Sequence, residues 1–300
     1  MRGKVGVVTV TYNSATVLEE FLDSLASQTH SPLVLYAVDN ASGDATVAKL
    51  RQHSGISIVV IPNEQNLGVA EANNEGIRAA LEDGCEYVLL LNNDTVFPGD
   101  MIAELLAGLD AHQCEMTTAR MYYHDHPDRI WCAGGRISPW RGYDVVHDGA
   151  DQADHGQFDV PRAVEYTPTC CLMARRSVFE KVGLMDGRYF VYVDDVDFLY
   201  RCRKRGLSLW YIPSARLWHK VSSLTTSVSN FTLRYCTRNR VYFVRKHLPY
   251  PLALGLYLAV QVRSLLNLVL LHNSWAKFLV RFRAAREGWR LANQPSPAAG

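Results

Sequence analysis

Val5-Gly-Val-Val-Thr-Val-Thr11, followed at once by Tyr12-Asn13, is the stretch of the sequence that decides the fold. The run is apolar and rich in β-branched valine without polar alternation, which is typical of a strand buried on both faces. It stops abruptly at polar residues. A buried strand that ends in this way indicates a parallel sheet with a ligand site at its carboxyl edge.

The next hundred residues repeat this pattern. Strand-like runs at residues 33–38, 56–61 and 87–91 alternate with amphipathic helical stretches at residues 16–27, 45–52, 69–81 and 99–109. The order predicts β-α-β-α-β-α-β over about the first 110 residues. We therefore expect an α/β fold whose central, mostly parallel sheet is flanked by helices.

Each predicted strand ends in polar residues: Asp39-Asn40 after the second, residues 63–66 after the third and Asn92-Asn93-Asp94 after the fourth. The carboxyl ends of parallel strands line one ligand crevice. No GxGxxG follows the first strand and no GxxxxGK[ST] occurs in the chain, which argues against dinucleotide and P-loop sites. A nucleotide bound here would be recognised by side chains.

Composition excludes disorder and narrows the cellular compartment. The chain has 300 residues, 48% of them hydrophobic and 20% charged, which is enough for a large core. Its seven cysteines form no CxxC pair, so neither a disulfide framework nor a zinc ribbon is indicated, and a reducing cytoplasm fits best. The apolar run at residues 5–11 is too short for a signal peptide.

Between residues 116 and 168 the alternation of strand-like and helical stretches weakens, and we expect acceptor-side loops and short antiparallel strands there.

Asn92-Asn93-Asp94 places three oxygen-bearing side chains directly after a buried strand. A hard divalent cation that bridges a diphosphate needs only one or two protein carboxylates, because phosphate oxygens and waters fill its other positions. Asp94 is therefore the first candidate metal ligand. The alternative is a turn without a ligand, since these residue types begin turns readily.

Asp194-Asp195-Val196-Asp197 places three carboxylates within four residues, ahead of a basic run at residues 201–205. Clustered carboxylates repel, which raises the pKa of one of them and suits it to accept a proton. The alternative is that Asp195 and Asp197 open a helix, with the basic run as its solvated face. His219 is a further candidate, because imidazole binds Mn²⁺-like ions, although a lone histidine is more often only packed or hydrogen-bonded.

Taken in order, these motifs resemble those of family 2 glycosyltransferases over roughly residues 5–245. The nucleotide-sugar half is represented by Thr9-Val-Thr-Tyr-Asn13, Val38-Asp-Asn-Ala-Ser-Gly-Asp44, Asn66-Leu-Gly-Val-Ala-Glu-Ala-Asn73 and Leu91-Asn-Asn-Asp94. The acceptor half is represented by residues 169–179, Val182-Gly-Leu-Met-Asp186, residues 190–197 and Trp218-His219. Asn66-Leu-Gly-Val-Ala70 is also similar to the deoxysugar, especially rhamnosyl, transferases of the family.

The resemblance implies a GT-A fold and an inverting, metal-dependent sugar transfer that uses Mn²⁺ or Mg²⁺. It implies that Asp195 is the base and that Asp194 orients substrate or raises the pKa of Asp195. Asp94 and His219 would bind the metal. Donor-binding positions carried over from the family are Thr11, Tyr12, Asn13 and Asp39 for the nucleobase and ribose, Asn66 and Gly68 for the diphosphate, and Asn73, Asn92 and Asn93.

Two departures from the family pattern matter. Asn92 stands where many members have an aspartate, and Asp194-Asp195 stands where Glu-Asp is common. The weaker ligand Asn92 keeps open a second class, a non-catalytic nucleotide-sugar-binding or scaffold protein of a glycan assembly complex. A nucleotidyltransferase is disfavoured, because the position after the first strand carries Thr-Tyr-Asn-Ser and lacks a Gly-rich basic loop.

The C-terminal part differs in charge from the rest. Residues 231–300 hold eleven Lys and Arg against the single acid Glu287, which leaves about −9 on residues 1–230. Residues 252–271 are mostly apolar, but Gln261, Arg263, Ser264 and Asn267 cluster on under half of the helix circumference. This favours an amphipathic helix over a span, with basic flanks suited to an anionic membrane.

The sequence thus predicts a catalytic domain at residues 1–230, with a nucleotide-sugar half at 1–110 and an acceptor half at 111–230, and a basic amphipathic helical tail at 231–300. Expected partners are a nucleotide-diphosphate sugar, a glycan or lipid-linked acceptor and an anionic membrane surface. The alternatives for the tail are the catalytic domain or a second copy of the chain in a homodimer. Nucleic acid is not expected, because long aliphatic runs interrupt the basic residues. The expected location is the inner face of the cell membrane.

Overall fold

The computed structural model describes residues 3–220, 229–270 and 274–294. The chain divides into two compact units. The first consists of Met1–Ile137, Val145–Phe190 and Asp194–Val221, and the second of Ser138–Asp144, Val191–Val193 and Ser222–Gly300. The central sheet belongs to the first unit and the C-terminal helices belong to the second.

The first 111 residues have the predicted alternation of strands and helices. Strands β1 (Val5–Thr11), β2 (Leu33–Asp39), β3 (Ser57–Pro62) and β4 (Tyr87–Leu91) alternate with helices α1 (Leu18–Ala26), α2 (Thr46–Gln52), α3 (Val69–Glu82) and α4 (Met101–Ala111). These four strands lie in the order β4-β1-β2-β3 and all pair in parallel. The periodicities located each of these strands to within one residue.

The chain from residue 95 to residue 219 extends the same sheet. It contains β5 (Thr95–Val96), β6 (Met116–Tyr123), β7 (Ile130–Cys132), β8 (Gly135–Ser138), β9 (Asp144–His147), β10 (Arg162–Val164), β11 (Cys171–Arg175) and β12 (Leu209–His219), with helices α5 (Arg176–Val182) and α6 (Asp194–Lys204). Strands β6 and β12 pair in parallel, and the other pairs that this part adds to the sheet are antiparallel. In the described residues the sheet order is β10-β12-β6-β11-β4-β1-β2-β3, with β5 on β12, β7 on β6, and β8 and β9 paired separately. The predicted mostly parallel α/β sheet flanked by helices is confirmed.

Helix α3 packs directly on strand β1 of the sheet. Val5, Val7 and Val8 of β1 are fully buried. A Cβ at Gly76 of α3 would lie 2.4 Å from Cγ1 of Val8, so the helix backbone rests directly on the strand. Such contact leaves no room for even one methyl group.

The expectation of loops and short strands after residue 116 is wrong for residues 116–123. They form the central strand β6, which lies between β11 and β12. Its polar residues Thr118 and Arg120 hid the pattern, because each is buried and bonded to a residue more than 30 positions away. Thr118 is hydrogen-bonded to Thr167 (Oγ1 to Oγ1, 2.7 Å), and Arg120 donates to Asp154 (Nη1 to Oδ2, 2.5 Å). Beyond it, β7 to β10 are short, as expected.

The second unit contains helices α7 (Asn230–His247), α8 (Tyr250–Val269) and α9 (Trp275–Leu291). A Cβ at Gly288 of α9 would lie only 2.0 Å from the carbonyl oxygen of Arg238 in α7, so these two helices require glycine at their contact. Arg238 is buried and pairs with Glu287 (Nε to Oε1, 3.1 Å). This arginine, one of the basic residues before α8 that we expected to suit a membrane, is therefore used in an ion pair within the chain.

Candidate active site

Asp39 joins the carboxyl ends of β1 and β2. Only 2% of this residue is exposed, and its carboxylate accepts hydrogen bonds from Thr11 (Oγ1 to Oδ1, 2.8 Å) and from the backbone and hydroxyl of Ser42 (2.9 and 2.6 Å). Asn13 accepts from the Gly43 N–H at 2.9 Å. Thr11 is fully buried, whereas Tyr12 is 56% exposed. Of this predicted edge, Tyr12 therefore presents a side chain to a ligand, and Thr11 holds Asp39.

Gly68 closes the turn that leads into α3. Its φ of +83° and ψ of 172° are reached essentially by glycine alone, and a Cβ there would lie 2.5 Å from the carbonyl oxygen of Phe190. Asn66 accepts from the Gly68 N–H at 2.9 Å, and the Val69 N–H donates to Phe190 O at 2.5 Å. The turn is thus fixed at the start of a 14-residue helix, where a positive dipole end favours a diphosphate.

The remaining predicted donor residues are spread along the same edge. Asn73 lies in α3 and is 5% exposed. Asn93 is 8% exposed and donates its amide to Val10 O at 2.5 Å, which ties the loop after β4 to β1. Asn92 is exposed, and its Nδ2 lies 3.5 Å from Nε2 of His219. Asn93 therefore supports the loop, while Asn92 is accessible beside His219.

Asp94 and His219 are brought together by the pairing of β5 with the end of β12. Oδ1 of Asp94 lies 3.1 Å from Nε2 of His219, and the two side chains are 28% and 9% exposed. Nδ1 of His219 is buried and has no hydrogen-bond partner within the described residues. The ring therefore presents Nε2 to the carboxylate. Residues 125 positions apart in the sequence form this pair.

These two side chains fit a divalent cation whose coordination is completed by a ligand. The described part of the chain holds no group of three or more His, Cys, Asp or Glu residues placed to bind a metal. A cation that bridges a nucleoside diphosphate needs only one or two protein ligands, and a carboxylate beside an imidazole nitrogen supplies them. Asp94 and His219 would hold such an ion.

Asp197 differs from its two acidic neighbours. It is fully buried and accepts from the Tyr189 hydroxyl (3.0 Å) and from Nε of Arg201 (2.8 Å). Arg201 also donates to two backbone carbonyls before α6, so this arginine is a structural clamp and not part of a solvated face. Asp197 therefore stabilises the start of α6, which begins at Asp194.

Asp194 and Asp195 titrate as a pair in which burial raises the pKa of both. Burial and the charge of Asp195 raise the pKa of Asp194 to about 8, and its Oδ2 atom has no hydrogen-bond partner among the described residues. Asp195 is only half-buried, and its raised pKa is opposed by hydrogen bonds from the Tyr166 hydroxyl (2.6 Å) and the Val196 N–H (2.8 Å). Of the two, Asp195 is the carboxylate whose hydrogen bonds favour its ionised form.

Three aromatic residues that the sequence did not assign to the site form a row between His219 and Asp195. The ring of Trp131 lies edge-on to His219 (centroids 4.5 Å apart) and to His147 (5.5 Å). His147 stacks on Tyr166 at 5.6 Å, and Tyr166 donates to Asp195. No local motif marks them, because β7, β9 and the loop after β10 bring them together. The density of aromatic residues within 116–168 was the one available signal.

The mostly parallel sheet flanked by helices has the architecture of the GT-A fold, and the Asp94–His219 pair lies beyond the carboxyl end of its strand β4. The chain matches the model of glycosyl transferase family 2 over residues 6–183 and belongs to that family. Its enzymes transfer a sugar from a nucleotide donor, and so does this one.

Similar proteins agree with this assignment. The chain is 30% identical over 239 residues to the N-acetylglucosaminyl-diphospho-decaprenol L-rhamnosyltransferase of Mycobacterium tuberculosis, covering 71% of this chain and 75% of that one. It is 23% identical to the dTDP-rhamnosyl transferase RfbF of Shigella flexneri, with 83% of each covered. The mannosyltransferase PcManGT of Pyrobaculum calidifontis, solved with GDP-Man and Mn²⁺, shares the fold at a TM-score of 0.59 and 19% identity, over all of this chain and 78% of that one.

Proposed function

We propose that the protein transfers rhamnose or a related deoxysugar, with inversion, from a nucleoside diphosphate to a hydroxyl of a lipid-linked or polysaccharide acceptor. Two similar proteins carry rhamnosyltransferase names, one with a dTDP sugar and one with a diphospho-decaprenol acceptor. The observation that carries the catalytic part is the carboxylate of Asp195, which is half-buried at the start of α6 and accepts a hydrogen bond on each of its two oxygens.

The reaction needs one proton acceptor and one leaving group. Asp195 accepts the proton of the acceptor hydroxyl, and the resulting oxygen attacks the anomeric carbon of the donor. The bond from that carbon to the diphosphate breaks, and the nucleoside diphosphate leaves with the electron pair. Because attack comes from the face opposite the leaving group, the configuration is inverted, as in inverting hydrolases.

The donor edge supplies binding and the cation supplies charge neutralisation. Tyr12 is exposed beside the buried Asp39, where a nucleobase can stack on its ring. The backbone turn at Gly68 and the start of α3 face the diphosphate. A divalent cation held by Asp94 and His219 would neutralise the negative charge that develops on the leaving diphosphate.

We further propose that α8 and α9 dock on the anionic inner face of the cell membrane. In the described residues α8 is the one helix long and apolar enough to cross a membrane, with a mean hydropathy of 1.6 and 11% of it buried. Val262, Leu266 and Val269 are 53–68% exposed, while Ser264 is 3% exposed, so the apolar side chains face outward. Arg283 and Arg286 are exposed on α9. Apolar surface with nearby cations suits an anionic lipid surface.

A transfer assay tests the enzymatic proposal. We expect product from dTDP-rhamnose and a synthetic N-acetylglucosaminyl diphospholipid in the presence of Mn²⁺ or Mg²⁺, and none from Asp195→Asn. Asp110→Asn is the matched control, because Asp110 is an exposed aspartate on α4 that pairs with Arg175 (2.7 Å). A folded wild-type protein that binds dTDP but forms no product with any donor would favour the non-catalytic binding protein instead.

Vesicle flotation tests the membrane proposal. We expect the protein to float with phosphatidylglycerol vesicles and not with phosphatidylcholine vesicles, and Val262→Asp to abolish this. Val160→Asp is the control, because Val160 is 73% exposed in the first unit. Failure to float, together with a dimer in solution that Val262→Asp dissociates, would indicate a second copy of the chain. Protein that only detergent extracts from membranes would indicate a span.

A further inference from the structure

Asp195 meets two opposing influences at its position in the fold. Burial disfavours its ionised form, which the proposed reaction requires. The Tyr166 hydroxyl donates to Oδ2 at 2.6 Å and the Val196 N–H donates to Oδ1 at 2.8 Å. Both hydrogen bonds favour the charged carboxylate, and the hydroxyl is the one that a side-chain substitution can remove.

Tyr166 is itself held in one place. It is 4% exposed, and the ring of His147 stacks on it with centroids 5.6 Å apart and planes 24° apart. Burial and the charge of Asp195 keep the pKa of Tyr166 well above its usual value. The hydroxyl therefore stays a donor at all working pH values, and it cannot compete with Asp195 as a base.

We propose that Tyr166 is a positioning residue for the reaction, because its hydroxyl orients the carboxylate of Asp195 and keeps it ionised inside a buried site. This inference rests on the proposed function of Asp195 as the base. Each carboxylate oxygen keeps a free lone-pair direction when it accepts one hydrogen bond, so one remains for the acceptor hydroxyl. Tyr166 acts through Asp195 and does not need to touch the substrate.

The groups that face Asp195 come from four elements. Asp194 lies on the same helix and Tyr166 lies in the loop after β10. His147 at the end of β9 lowers the pKa of Asp195 through its charge, and Cys132 at the end of β7 is a buried thiol whose pKa Asp195 helps to raise. Among these groups, Tyr166 lowers the pKa of Asp195 the most and so opposes the effect of burial most strongly. Its removal should therefore outweigh the contribution of His147.

The experiment is Tyr166→Phe, which removes one hydroxyl and keeps the ring. We expect kcat to fall about tenfold at pH 7, the size of effect that the loss of one hydrogen bond to a charged group produces, with the KM for the donor within about twofold. The acid limb of the kcat profile should move to higher pH, because the lost hydrogen bond stabilised the ionised form. The deficit should therefore shrink at pH 9.

A second readout does not depend on turnover. In protein labelled with ¹³C at the aspartate carboxyls, the Asp195 resonance is identified by its loss in Asp195→Asn. Its titration midpoint should rise in Tyr166→Phe. Tyr36→Phe is the matched control, because Tyr36 is 1% exposed and its hydroxyl also donates to an aspartate, Asp83, at the opposite end of α3. The control should leave both readouts at wild-type values.

The outcomes separate the two proposals. An unchanged Asp195 midpoint in Tyr166→Phe overturns the role of Tyr166, whether or not the wild type transfers sugar. A raised midpoint in a chain that forms no product supports the hydrogen-bond geometry and overturns the proposed function alone. An equal loss of kcat at every pH, without a shift of the midpoint, would reduce Tyr166 to a packing residue.

Discussion

Gly68→Ala tests whether the turn before α3 needs glycine for its backbone conformation and for its contact with Phe190. Gly68 and Gly84 both have positive φ, +83° and +74°, but a Cβ at Gly84 would meet no atom within 4 Å. At Gly84 an alanine should cost only the left-handed backbone, about 1 kcal/mol. At Gly68 the Cβ would lie 2.5 Å from a carbonyl oxygen of Phe190, so contact strain of about 2 kcal/mol is added to the backbone cost.

We expect the thermal midpoint to fall by roughly 2–4 °C in Gly84→Ala and by roughly three times as much in Gly68→Ala, on the usual scale for a domain of this size. Thermal unfolding followed by circular dichroism measures both. Donor KM should rise in Gly68→Ala alone, because the turn adjoins the proposed diphosphate site. Equal destabilisation by the two substitutions would refute the contact with Phe190 as the reason for glycine at this position.

Three further predictions concern other parts of the chain. Gly288→Ala should lower the thermal midpoint by several degrees because its Cβ would lie 2.0 Å from Arg238 O, whereas Gly255→Ala on α8 meets nothing within 4 Å and should be neutral or stabilising. Because the pKa of Asp194 is raised to about 8, its protonation stabilises the folded state at low pH, and this stabilisation is lost as the pH rises through 8. The free energy of unfolding, measured by urea titration, should therefore be lower at pH 8.5 than at pH 5. In Asp194→Asn the difference between the two pH values should be smaller by at least about 1 kcal/mol. Asp94→Ala should abolish the increase in thermal midpoint that Mn²⁺ adds to dTDP, and a retained increase would place the cation elsewhere.

Local pattern predicted the strands and helices of the first 111 residues because periodicity and the polar residue after a strand both depend on near neighbours in the sequence. Strand and helix periodicity placed β1 and β4 at their observed bounds, and the polar residue after each strand marked the cleft. The same reasoning missed β6, because Thr118 and Arg120 are polar and were therefore expected at the surface. Their hydrogen-bond partners, which allow them to be buried, lie far away in the sequence. Periodicity cannot recognise a buried polar side chain whose partner lies dozens of residues away.

The described structure also changed the interpretation of residues that the sequence grouped together. Asp195 and Asp197 are two positions apart, yet Asp197 pairs with Arg201 in the core while Asp195 faces the site. Residues two apart on a helix point about 200° away from each other, so a cluster in sequence need not be a cluster in space. On α8, the sequence left open what covers the apolar face, and the structure leaves Val262 on it exposed while Ser264 is buried.

The sequence by itself determined the family, the α/β sheet and the chemical type of the residues at its edge, because each of these depends on side chains within a few positions of one another. Only the tertiary structure brought Asp94 to His219 and Tyr166 to Asp195, pairs that are 125 and 29 residues apart. The pairing of β5 with β12 made the first of these contacts. The protonation state of a base depends on such contacts, because burial and a single hydroxyl act on it in opposite directions.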